Sequence, residues 1–177
     1  MWNQESYQNA IDFAAKKHKE QKVPGKEYSY VVHLSNVAAE AGRAMFEEPP
    51  EDPDLIIQAA LLHDVLEDTE ATEEELSSRF GKDVSAVVKA LTKNQKLEKS
   101  ERMADSLERI IAVGKPAAIV KLCDRITNLQ EPPKHWDSEK CAAYLQEAEL
   151  IHSKLAGFHD YLGNRLEKCM AEYRKYI

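Results

Sequence analysis

Apolar residues recur every three or four positions along almost the whole chain, the spacing of helix faces that pack onto a core. A first helix is predicted from Gln4 to Lys19, with Ala10, Phe13, Ala14 and Ala15 on one face. Residues 20–30 hold Pro24 and Gly25 and read as a loop. A second helix should run from His33 to about Phe46, and residues 47–53, rich in proline, should link it to a third over 54–66. Thr72 with Glu75 three positions on forms a capping box for a short helix ending at Phe80, where Gly81 stops it. Further helices are predicted over 83–91, 98–113 and 116–129; the last two are separated by Gly114. Pro132-Pro133 breaks the chain again, and long helices fill the stretch from Ser138 to the end. No segment alternates as a strand would, so the fold class is all-α, a helical bundle of roughly eight to ten helices.

One run interrupts this pattern. Ala60-Leu61-Leu62-His63-Asp64-Val65-Leu66-Glu67-Asp68-Thr69 places an imidazole and three carboxylates inside an apolar stretch. Burying such groups is costly unless they pair or coordinate something. On a helix His63 and Glu67, and likewise Asp64 and Asp68, lie one turn apart and form a ledge. The dipeptide His-Asp is weak evidence alone, since six histidines predict about 0.4 such pairs by chance. A second copy, His159-Asp160, has no acidic pair after it and reads as a solvated feature of an amphipathic tail helix.

A second apolar helix carries polar residues of the same kind. In Val120-Lys121-Leu122-Cys123-Asp124-Arg125-Ile126-Thr127-Asn128-Leu129, Asp124 and Asn128 share a face. Asp124 could pair simply with Lys121 or Arg125; a buried aspartate needs some strong partner. His33, beginning a helix after Tyr28 and Tyr30, adds a further imidazole. Together His33, His63, Asp64 and Asp124 make a two-nitrogen, two-oxygen set suited to a borderline-to-hard divalent ion, Mn²⁺, Fe²⁺ or Zn²⁺. Such a cation lowers the pKa of water and polarises a phosphoryl oxygen.

Composition narrows the picture. At 177 residues the chain is expected to form a single domain, residues 1–177, with a substantial core. The net charge of −7 argues against a nucleic-acid partner, while leaving room for a small anionic nucleotide. Three cysteines without paired spacing fit a reducing compartment, and no apolar run has a signal peptide's or a membrane span's length, so a cytoplasmic location is expected. Cys123 reads as a buried structural thiol. Nothing in the pattern sets an oligomeric state.

The ordered set His33, His63-Asp64 and Asp124 resembles the HD superfamily of metal-dependent phosphohydrolases. The run 59–69, then Phe80-Gly81, Leu91-Thr92-Lys93 and Lys121-Leu122-Cys123-Asp124-Arg125 with Asn128-Leu129, is similar to the hydrolase domain of the RelA/SpoT alarmone enzymes. With no length left for a synthetase domain, the chain looks most like the stand-alone small alarmone hydrolases. The resemblance implies an HD-domain bundle in which those four residues hold Mn²⁺. It implies that Glu67 and Asp68 position or deprotonate the attacking water, and that Asn128 and Tyr144 lie beside the nucleotide. The implied reaction removes the 3′-pyrophosphate of ppGpp or pppGpp. Competing expectations are an HD phosphohydrolase for other nucleoside phosphates and a non-catalytic nucleotide-binding module.

The chain also departs from that family's pattern. An Arg-Lys pair usual before the first histidine is Val23-Pro24 here, with Lys22 and Lys26 flanking as candidate replacements. The proline usual after that histidine is Leu34, and an arginine usual after Asn128 is Gln130. These differences fall on substrate contacts rather than on the metal set, and they open the possibility of another base, as in ppApp.

Overall fold

The structure is a computed structural model describing residues 1–177. Its α-helices are α1 (Gln4–Lys17), α2 (Val31–Glu47), α3 (Pro53–Leu62), the single turn α4 (Val65–Asp68), α5 (Glu73–Phe80) and α6 (Lys82–Leu91). They continue as α7 (Arg102–Val113), α8 (Lys115–Asn128), α9 (Ser138–Leu155) and α10 (Asp160–Tyr173). The all-α expectation holds, and the only β feature is an isolated antiparallel bridge between Lys22 and Ser29.

Two helices form the axis of the bundle. α3 is apolar from Ile56 through Leu62 apart from Gln58, and packs against α1, α2, α6 and α8. α8 is buried without interruption from Ala117 to Thr127 and packs against α2, α3, α6, α7, α9 and α10. Burying charge on a helix covered on all sides is costly without a partner. Lys121, Asp124 and Arg125 all have charged partners, although Arg125 Nε and Nη1 and Thr127 Oγ1 are buried without a hydrogen bond.

Local chemistry sets most of the ends. Asn3 caps α1 by accepting from the Glu5 and Ser6 amides, and Asp52 caps α3 through the Leu55 amide at 2.9 Å. Thr72 caps α5 through the Glu75 amide at 3.2 Å, but the Glu75 carboxylate pairs with Lys17 at 2.8 Å. The predicted capping box is thus realised on the Thr72 side. α7 begins at Arg102 rather than near residue 98, because the Arg102 guanidinium donates to the carbonyls of Leu97 and Gln95 and holds that stretch as a loop.

Two expectations need correction. The third helix does not continue to Leu66. His63 Nδ1 donates to the Ala60 carbonyl at 2.8 Å, and Asp64 sits at φ −102°, ψ −1°, so α3 ends before His63 and α4 restarts at Val65. His159 is not solvated: it is 1% exposed at the start of α10. Its Nδ1 lies 3.0 Å from Glu48 and its Nε2 3.2 Å from the Ala44 carbonyl, so the ring bridges to the end of α2. The chain breaks at the 3₁₀ turn Ala156–Phe158, and that break turns His159 inward.

The loop after α1 packs against the turn after α8. Gly25 has φ 75°, and a Cβ there would lie 3.1 Å from Pro133 Cβ. Gly25→Ala therefore imposes a left-handed backbone on an L-residue and a close contact together. It should cost about 1–2 kcal/mol and lower Tm by about 3–6 °C, measured by thermal denaturation.

Candidate active site

The break between α3 and α4 makes the centre possible. On an unbroken helix adjacent residues project about 100° apart. Here both His63 and Asp64 reach one point, with His63 Nε2 3.0 Å from Asp64 Oδ2. His33, from the first turn of α2, places its Nε2 3.2 Å from His63 Nε2 and 3.7 Å from Asp64 Oδ2. Asp124 of α8 brings Oδ1 to 3.5 Å from His33 Nε2 and 3.7 Å from His63 Nε2. The residues singled out from the sequence thus converge from α2, α8 and the α3–α4 break.

Three of the four are oriented from behind. The Ala60 carbonyl accepts from His63 Nδ1, which turns Nε2 toward the cluster. Lys121 donates to Asp124 Oδ2 at 3.0 Å and Asn128 Nδ2 to Asp124 Oδ1 at 2.6 Å. The Tyr30 hydroxyl donates to Asp64 Oδ2 at 2.5 Å. Burial works against charge on all four residues, and the neighbours decide the outcome. His63 is held protonated well above its usual range by Asp64 and Asp124, and their own pKa values are held low, Asp64 by His63 and Asp124 by Lys121 and then His63. His33 is pushed down by burial and by the adjacent His63 charge.

This donor set fits a divalent cation. Bonds of ~2.1 Å would separate neighbouring ligand atoms by ~3.0–3.4 Å for octahedral to tetrahedral angles, close to the 3.0–3.7 Å among His33, His63 and Asp64, which form the compact group. Asp124 approaches the two imidazoles at 3.5 and 3.7 Å and stands outside that group. The two carboxylates that raise His63 already favour positive charge at this point.

Beside the cluster, Glu67 and Asp68 of α4 line a cavity of about 180 Å³ together with Tyr30, His63, Asp64, Lys93, Lys121, Asp124 and Arg125. Glu67 accepts from the Lys93 amide at 2.9 Å and faces its ammonium at 3.7 Å. Asp68 accepts from Gln21 Nε2 at 2.8 Å, and burial pushes its carboxyl above the usual range despite that bond.

A second chamber of about 240 Å³ adjoins the first, and Asn128 and Tyr144 line both. Val23, Pro24, Lys26, Gln130, Pro132 and Trp136 form much of its wall. Trp136 and Tyr144 meet edge to face at 5.2 Å, and the Arg125 guanidinium lies over the Tyr144 ring at 4.3 Å while pairing with Glu147. Of the two flanking lysines, Lys26 lines the chamber, whereas the Lys22 ammonium is directed to Glu27 at 2.6 Å. The departures Val23, Pro24 and Gln130 lie in this wall, and Leu34 is core.

Sequence reasoning missed Tyr30, Gln21 and Lys93, whose roles depend on loops folding back. The signal for them was indirect: each buried carboxylate requires a donor.

An all-helical bundle that gathers two imidazoles and two carboxylates beside an acidic pair and a ligand-sized chamber defines a class of metal-centred helical proteins. Residues 10–160 match the HD domain, and the chain belongs to that family. It is similar to guanosine-3′,5′-bis(diphosphate) 3′-pyrophosphohydrolase MESH1 of Xenopus tropicalis, 34% identical over 163 residues, covering 89% of each chain. It is also similar to the guanosine-3′,5′-bis(diphosphate) 3′-pyrophosphohydrolase of Aquifex aeolicus, 40% identical over 132 residues, which are 71% of this chain and 18% of that longer one. A solved structure described as a metazoan ortholog of SpoT that hydrolyses ppGpp superposes with a TM-score of 0.85, at 29% identity and 97% coverage of both chains. No helix is long and apolar enough to cross a membrane.

Because His63 must give up its proton to act as a ligand, divalent-cation affinity should rise with pH as that proton is released. Calorimetric titration at several pH values should show proton release on binding. Asp64→Ala should lower affinity at least tenfold while leaving far-UV circular dichroism nearly unchanged.

Proposed function

We propose that this protein is a divalent-cation-dependent hydrolase that removes the 3′-pyrophosphate from ppGpp-type nucleotides, releasing pyrophosphate and a nucleoside 5′-phosphate. One observation carries the reading. The histidine–aspartate cluster, the acidic pair and an aromatic-walled chamber form one continuous site, with Asn128 and Tyr144 common to both cavities. The likeness to the MESH1 and SpoT-type proteins supports the same substrate class. Residues 1–177 are read as one hydrolase domain.

His33, His63, Asp64 and Asp124 would hold the cation, with Mn²⁺ the preferred candidate and Fe²⁺ or Zn²⁺ compatible with the same donors. When bound there, the cation supplies Lewis acidity toward a phosphoryl oxygen and acidifies water. Glu67, held by Lys93, orients the water that attacks the phosphorus nearest the ribose 3′ oxygen. Asp68, held as a carboxylate by Gln21, accepts the proton that the attacking water loses. The P–O3′ bond breaks, the ribose 3′ oxygen takes up that proton, and pyrophosphate departs past Lys93 and Lys121. Asn128 and Tyr144 border the ribose and base, and Lys26 lies where a 5′ phosphate would enter. Lys22, committed to Glu27, is left out of this set.

The chamber wall favours testing a second base. Val23, Pro24 and Gln130 carry no cation where the family pattern has basic residues, and ppApp, with the same phosphates and another base, is the competing substrate at the same centre.

The test is pyrophosphate release with Mn²⁺ from ppGpp and ppApp in parallel, with Asp64→Ala as control. Turnover of either that is lost in the variant is the expected result; binding without turnover would instead make the protein a nucleotide-binding module. Glu67→Gln should retain the cation and lower kcat by about 10²–10⁴-fold. Loss of cation in that variant would make Glu67 a ligand and overturn the division of roles.

A further inference from the structure

The segment between α1 and α2 is a narrow hairpin. Its backbone is closed by the Tyr30 amide donating to the Gln21 carbonyl at 2.9 Å and the Val23 amide donating to the Tyr28 carbonyl at 3.1 Å. The Gln21 amide in turn donates to the His18 carbonyl at 2.9 Å, so both backbone polar groups of Gln21 are engaged. Only its side chain is free to reach outward, and it spans 47 residues of sequence to meet Asp68, with Nε2 2.8 Å from Oδ2. At its other end Gln21 Oε1 lies 2.6 Å from His18 Nδ1. His18 is 1% exposed and stacks on Tyr30 at 5.1 Å between ring centres.

This bridge has one consistent hydrogen-bond pattern. A carboxylate only accepts, so Gln21 must turn its NH₂ toward Asp68 and its carbonyl oxygen toward His18. His18 must then carry its proton on Nδ1, and its buried Nε2, which has no partner, is a bare lone pair. The amide cannot rotate without losing both bonds. The same hairpin sends the Tyr30 hydroxyl to Asp64, so one rigid loop holds a carboxylate of the cation cluster and a carboxylate of the acidic pair.

We propose that Gln21, clamped by His18, is a positioning residue for Asp68: it fixes the carboxylate's rotamer relative to the cation cluster. The proposal rests on the 3′-pyrophosphohydrolase reading for its kinetic consequence, though the bridge itself does not. Glu67 has its own holder in Lys93, from the far side of the cavity, so the acidic pair is gripped from both flanks. A positioning role predicts that removing the bridge lowers turnover while leaving substrate binding intact.

The experiment pairs kinetics with nitrogen NMR of the histidines. Gln21→Ala should lower kcat about tenfold, as loss of one hydrogen bond to a charged group implies, with KM within twofold of the parent. In an Asp68→Asn background the same substitution should change kcat less than twofold, because Asp68 is the group through which Gln21 acts. ¹⁵N shifts should assign His18 as the Nδ1–H tautomer in the parent protein, and that preference should be lost in Gln21→Ala. An unchanged kcat in Gln21→Ala, an equal loss in both backgrounds, or an Nε2–H tautomer in the parent would each overturn the proposal. If the parent turned over no 3′-pyrophosphorylated nucleotide, the functional reading would fall, and the tautomer measurement would still decide whether the bridge exists.

Discussion

A carboxylate in the middle of a fully covered helix is the constraint around which this molecule is arranged. Asp124 lies among eleven consecutive buried residues of α8. An ionised group there has no water to turn to, so the fold must supply compensation from within. Lys121 supplies it from one turn earlier, Asn128 from one turn later, and the two imidazoles from neighbouring elements. That demand places α2 and the α3–α4 break where they are. The histidine–aspartate cluster and the core are therefore built from the same helices.

The acidic pair obeys a different logic. Glu67 and Asp68 sit on a single helical turn, far too short to be stable alone. They are held by residues from outside it, Lys93 after α6 and Gln21 after α1. Lys93 is in turn fixed by the end of α6, where Arg109 donates to the carbonyls of Lys89, Ala90 and Thr92. The acidic pair is thus anchored by elements that bear none of the residues of the histidine–aspartate cluster.

What could be read from the sequence follows the same division. The helices and the residues of the cluster were legible, because 3.6-residue periodicity and polar residues within apolar runs are local signals. The interruption at His63-Asp64 was not. An apolar run through Leu66 favours an unbroken helix, and only the inward pull of two adjacent polar side chains breaks it. His159 was misread for a related reason: its partners at Glu48 and Ala44 lie more than a hundred positions away. Gln21 and Tyr30 likewise gain meaning only once the hairpin closes against α4 and the cluster.

The chamber wall has a consequence for how such a protein can diversify. Its cover comes from two connecting loops, around Val23–Tyr28 and Gln130–Trp136, which touch where Gly25 meets Pro133. Most of these side chains lie at the surface, where replacements usually cost little stability. Lys121, Asp124 and Arg125, by contrast, cannot change without unbalancing the core. The chamber's lining can therefore drift over generations through the loops while the histidine–aspartate cluster stays locked in the core.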